Sequence, residues 1–195
     1  MPDCRIQKTK QKLRGALLLL LRDAPFEQLS VTDLCRESGV SRITFYAYYN
    51  DKFDLLGEIF GEMLQSAIAH FEKLQDGGNP GRDPRRSCRN LLQAILMMES
   101  ESPEFMAQIA QEENSYLAFA YYWYVMREAF EHSRKYVEAL RPVFSAQMTV
   151  NFLCTGLWGF IRTGALEGKT EEELGALAEQ LLDSILNSSV FRQET

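Results

Sequence analysis

Apolar residues return at helical spacing along nearly the whole chain, and the breaks in that rhythm fall at capping residues, prolines and glycines. Leu13, Ala16, Leu17, Leu20 and Leu21 make the buried stripe of a first helix over residues 6–23. Ser30 then caps a short helix carrying Val31, Leu34 and Cys35 on one side, and Gly39 supplies the left-handed position that ends it. Ser41 caps a second short helix running to about residue 49, and Asn50 caps a third, with Leu56, Ile59, Phe60, Met63, Ala67, Ile68 and Phe71 as its stripe. A loop over 76–82 precedes Asp83-Pro84, an N-cap followed by an N1 proline, and Cys88, Leu91, Leu92, Ile95 and Leu96 give the next buried face. Ser102-Pro103 opens a short helix, and residues 115–140 form a long one. Pro142 starts another, and Thr170 with Glu173 forms the capping box of the last. The pattern predicts an all-α protein of about nine helices.

Two of these helices are of a kind that reads DNA. The two short segments over residues 30–49 have the length and the sharp turn of a helix-turn-helix. On the later helix Phe45 and Tyr49 share the core side. Ile43, Thr44 and Ala47 fall opposite, flanked by Arg42, Tyr46 and Tyr48. Groups able to meet base edges or phosphates, interleaved with small residues, suit a major groove.

Charge sharpens this picture. The 195-residue chain carries a net −6 with a pI near 5.1, and 46% of it is hydrophobic. Residues 1–55 nevertheless hold nine bases against seven acids, so the acidic excess lies wholly in the remainder. Five bases and no acid lie between Arg5 and Arg14, so Lys8, Lys10 and Lys12 either form a solvated charged end or add nonspecific affinity for DNA.

Ser30-Val31, Leu34-Cys35, Gly39-Val40-Ser41, Thr44, Tyr46, Tyr48-Tyr49, Lys52 and Leu55 together resemble the N-terminal signature of TetR-type (TetR/AcrR) transcriptional regulators. The run SRITFYAYYNDKFDLL is most similar to the subgroup with the head motif R-x-T-F-Y-x-H-Y-x-D-K, although Tyr48 stands where histidine is usual and Ala47 where a larger side chain is frequent. The resemblance implies a DNA-binding domain over residues 1–52, a linking helix over 50–75, and an effector-binding and dimerisation domain over 53–195. It also implies DNA contacts from Ser30, Thr32, Ser41, Arg42, Ile43, Thr44, Tyr46, Tyr48 and Lys52, with Lys52 and Tyr46 on phosphates and Arg42, Thr44 and Tyr48 on bases.

The rest of the chain offers two further sites. Residues 115–140 are aromatic on nearly every side at first, and Tyr116, Phe119, Trp123, Met126 and Arg127, with Trp158, are the candidate lining of a small-molecule pocket; plain core packing explains the same stripe. Phe152, Gly156 and Gly159 on one helix, and Leu174, Leu177, Leu181 and Ile185 on the last, are the candidate dimer interface. In the resembled family the last two helices pack against their symmetry mates.

The function expected is a dimeric cytoplasmic repressor on a pseudo-palindromic operator, released by an apolar or aromatic ligand. An activator controlled by a protein partner is the alternative, as in dihydroxyacetone kinase operon activators with this kind of head. An enzyme or ligand carrier would need a phosphate loop, an activated nucleophile or a cofactor constellation, and the sequence shows none. Cys4, Cys35, Cys88 and Cys154 lie far apart without metal-ligand spacing, so no metal is expected, and the apolar run 16–21 is far too short for a membrane span.

Overall fold

The chain was analysed as a computed structural model that describes residues 4–192. The helices among these are α1 (Cys4–Leu20), α2 (Val31–Ser38), α3 (Arg42–Tyr46), α4 (Lys52–Gly78), α5 (Pro84–Ser100), α6 (Pro103–Ile109), α7 (Ser115–Ala139), α8 (Ala146–Leu166) and α9 (Glu171–Leu186). Apart from helices and short 3-10 turns, the described residues contain an isolated antiparallel bridge between Pro142 and Phe191. No helix among them is long and apolar enough to cross a membrane.

Local capping rules account for most helix starts. Ser30 accepts from the Asp33 amide while the Asp33 carboxylate accepts from the Ser30 amide, a reciprocal box at the head of α2. Asp83 caps α5 ahead of Pro84, and Thr170 with Glu173 caps α9, both as expected. Two starts and one end differ. Asp51, not Asn50, caps α4: its carboxylate accepts from the Phe53 and Asp54 amides, and Asn50 binds Asp54 instead. α3 stops at Tyr46, three residues early, with Ala47 and Tyr48 in a turn. α8 begins at Ala146 under a Ser145 cap rather than at Pro142, because that proline bridges to Phe191 and Val143 donates to the Val190 carbonyl at 2.9 Å.

The chain divides into two compact units, and their borders differ from the boundary after residue 52 expected from the head motif. The first unit is Met1–Met63 with Pro103–Tyr121, and the second is Leu64–Ser102 with Tyr122–Thr195. In the first, Leu13, Leu17, Leu21, Phe26, Leu34, Phe45, Leu55, Ile59 and Phe60 are almost fully buried. Residues 103–121 join it because Phe105 stacks on Phe60 and the buried Asn114 accepts from the Phe26 amide at 2.9 Å. In the second, α5, α8 and α9 share a core of Cys88, Leu92, Val150, Leu153, Leu157, Ala178, Leu182 and Leu186. A buried clasp closes the turn from α4 to α5: Gln75, Asn79, Ser87 and Asn90 satisfy one another through side-chain hydrogen bonds of 2.8–3.0 Å.

Candidate nucleic-acid interface

Within the first unit, α2 and α3 are joined by a left-handed Gly39 (φ 67°). Burial of Leu34, Cys35, Phe45 and Tyr49 fixes which way each helix faces. The opposite side of α3 is left to solvent. Ile43 is 87% exposed and Tyr46 50%, and Ser41, Arg42 and Ala47 are exposed with them. Ser41 caps the helix by accepting from the Thr44 amide at 3.1 Å, and the two hydroxyls lie 2.9 Å apart. The Arg42 guanidinium lies 5.9 Å from the centroid of the Tyr46 ring, which packs edge-on against buried Phe45. The cation on this face therefore has an aromatic neighbour.

On α2, Ser30 and Thr32 are exposed, but the Ser30 hydroxyl also donates to Asp33 at 2.6 Å. That hydrogen bond from Ser30, with help from Arg36, holds the Asp33 carboxyl below its ordinary range. Tyr48 is half-buried.

Lys52 is arranged differently from the phosphate contact expected of it. Its ammonium donates to the carbonyls of Phe26, Glu27 and Leu29 at 2.7, 2.9 and 2.7 Å and stands 4.7 Å from the centre of the Phe26 ring. An ammonium has three N–H donors, and all three are used. Burial pulls the Lys52 pKa down, with the Glu27 carboxylate acting in the opposite sense. Lys10 also has an internal partner, Glu58 at 2.5 Å, and Arg14 pairs with Glu62. Tyr49 donates to the same Glu58 at 3.0 Å, and burial followed by that carboxylate raises its pKa.

Two residues important to this unit escaped the sequence reading. Asn114 bridges the Phe26 amide and the Gln108 carbonyl, and Glu27 accepts from the Tyr116 amide at 2.9 Å, capping the free start of α7. Nothing local marks either one, since their partners on Phe26 and α7 lie 88 and 89 residues away.

The expected ligand residues fall in two places. Tyr116 and Phe119 belong to the first unit, where Tyr116 stacks on Phe26 and meets Phe53 edge-on. Trp123, Met126 and Arg127 line an open groove of about 250 Å³ in the second unit, with Tyr122, Phe130, Gln147 and Asn151. Trp158 lies against Tyr122, ring centroids 6.1 Å apart, and Tyr122 also bonds Thr155 at 2.7 Å. A separate apolar cleft lined by Phe71, Leu91, Val125 and His132 has a volume of about 20 Å³, room for one water.

The expected dimer residues divide as well. Phe152 is 55% exposed, whereas Leu174 is buried in its own chain and Leu181 and Ile185 pack partly on its core. Gly156 and Gly159 have open space where a side chain would stand, so no helix of this chain approaches them closely; that close approach occurs at Gly164.

Among the described residues no group of His, Cys, Asp and Glu is arranged to hold a metal. Cys35 and Cys88 are buried, Cys154 is half-buried and Cys4 is exposed; burial pushes the Cys88 and Cys154 thiols up to about 12.

A capped helix-turn-helix with a solvent-facing second helix is an arrangement that DNA-reading proteins use. No family model matches the chain. Over 106 residues, 54% of its length, it is 29% identical to the HTH-type transcriptional regulator AcrR of Shigella flexneri, covering 47% of that protein. The chain spans about half or less of the length of the curated relatives it matches. Among solved structures, a TetR-family regulator from Syntrophomonas wolfei superposes with a TM-score of 0.77 at 14% identity, over 93% of this chain and 96% of that one. Thermus thermophilus FadR, a TetR-family repressor in complex with lauroyl-CoA, gives 0.57 at 17% identity over 95% and 97%. The dihydroxyacetone kinase operon activator DhaS gives 0.55 at 18% over 95% and 98%. The fold is that of the TetR-family structures, and the two curated relatives are each named an HTH-type transcriptional regulator.

Proposed function

We propose that this protein is a cytoplasmic DNA-binding transcriptional regulator. It acts as a homodimer on a pseudo-palindromic operator and represses until a small apolar ligand releases it. The observation that carries the reading is α3, whose Arg42, Ile43 and Tyr46 are turned to solvent while the helix is fixed from behind by buried Phe45. Residues 1–52 are the reading head in this proposal, and Ser30, Thr32, Ser41, Thr44 and Tyr48 add contacts around α3, those with committed hydroxyls through their remaining acceptor capacity. The lauroyl-CoA held by the FadR neighbour supports an acyl ligand, and the aromatic groove at Trp123, Met126 and Arg127 is the surface on this chain with matching chemistry. A ligand releases DNA only by preferring the state that fits the operator less well.

The small volume of the Phe71 cleft favours a second reading, an activator controlled by a protein partner, in keeping with the DhaS neighbour. A mobility-shift titration with DNA flanking its own coding sequence tests the common part. Specific retention that outlasts a hundredfold excess of unrelated duplex is expected, and equal affinity for both duplexes refutes a regulator. Adding lauroyl-CoA to the retained complex separates the two readings: release supports the ligand-controlled repressor, and indifference supports the partner-controlled activator.

A further inference from the structure

Ile43 is the most exposed of the large hydrophobic side chains, at 87%, and neither packing nor helix preference explains it. A β-branched residue on a solvent face is a mediocre helix former, and nothing in the first unit covers this one. Its surroundings say what does. Ile43 precedes Tyr46 by three positions and follows Arg42 directly, so the three lie on one exposed arc of α3, with Ile43 farthest from Phe45. The guanidinium on that face is held over the Tyr46 ring, which Phe45 braces in turn. Such a pre-oriented fork suits the two acceptors of a guanine edge.

We propose that Ile43 reads the 5-methyl group of a thymine in the major groove, beside the base pair addressed by Arg42. The inference rests on the regulator reading above and adds to it a named base and a named atom. The thymine methyl is the apolar group that base pairs offer in the major groove, so an isoleucine facing that groove has a single complementary target. The β-branched side chain holds few rotamers in a helix, and little freedom is lost on contact.

The test begins by selecting bound sequences from a random duplex pool with the full chain. Each thymine of the selected half-site is then replaced in turn by deoxyuridine, which removes only the methyl. One position is expected to weaken wild-type binding about fourfold, the transfer value of one buried methyl group. Ile43→Ala is expected to bind the thymine duplex less tightly by a similar factor and to lose all discrimination at that position, with the salt dependence unchanged. Ile43→Val should keep most of the discrimination. Wild-type indifference to every replacement overturns the proposal, as does full discrimination retained by Ile43→Ala. If the pool yields no enriched sequence, the regulator reading falls and this inference with it.

Discussion

Three carbonyl oxygens from the turn at residues 26–29 converge on the Lys52 ammonium, and this makes Lys52 a fastener of the helix-turn-helix unit. The two roles, fastener and phosphate contact, differ in what a substitution does. Lys52→Met keeps the aliphatic stem but leaves the three carbonyls to water, which costs about 2 kcal/mol for a charged donor in a half-exposed site. The expected result is a melting temperature lower by several degrees, with the slope of DNA affinity against salt unchanged in the fraction that stays folded. A slope reduced by about one with an unaltered melting temperature would restore the phosphate role. Charge and family position made Lys52 legible as important, but its partners lie 23–26 residues away in sequence and no local pattern points to them. The Ser30 cap, whose partner is three residues away, was readable from the sequence alone.

The same contrast holds for whole helices. Stripes and caps located the helices because a helix is closed by its own neighbours, and the late start of α8 came where another segment intervened. Residues 190–191 bridge to Pro142 and accept from Val143, and α8 starts only at Ala146. Glycine spacing shows the limit well. Gly156 and Gly159 suggested a close helix approach, yet it is at Gly164 that an added Cβ would stand 2.4 Å from Leu174 Cδ2. Gly164→Ala must therefore push Leu174 off its seat in the α8–α9 packing, at a cost of about 1–3 kcal/mol. The gain from alanine's higher helix propensity, about 1 kcal/mol, offsets only part of that. Gly15→Ala on α1 meets nothing within 4 Å and should be stabilising by up to about 1 kcal/mol. Urea unfolding of the two variants is expected to give shifts of opposite sign; a stabilising Gly164→Ala would mean that Leu174 is free to repack.

On the scale of the whole molecule, the question is what covers α8. Phe144, Met148 and Phe152 are each more than half exposed and recur every four residues, a stripe that begins just before the helix and runs along one side of it. An isolated chain has no use for such a row, and contiguous exposed apolar surface on a soluble protein commonly marks an interface. In the proposed two-fold dimer the stripe would meet its own copy, and the second protomer would supply the second reading head. Half-sites one helical turn apart, about 34 Å, then bind both heads at once. The choice of substitution decides whether this can be tested. A charge at Leu181 strikes a side chain that packs on its own core, so loss of the dimer and loss of the fold would coincide. Phe152→Glu touches the exposed stripe alone. It is expected to keep the helical content and the melting behaviour of a folded chain and to sediment as a monomer. Specific binding should be lost and weak, salt-sensitive binding to any duplex retained, because a single head keeps its basic face but reads only one half-site. A wild-type chain that sediments as a monomer at micromolar concentration, or a Phe152→Glu variant that remains dimeric, would move the interface off α8.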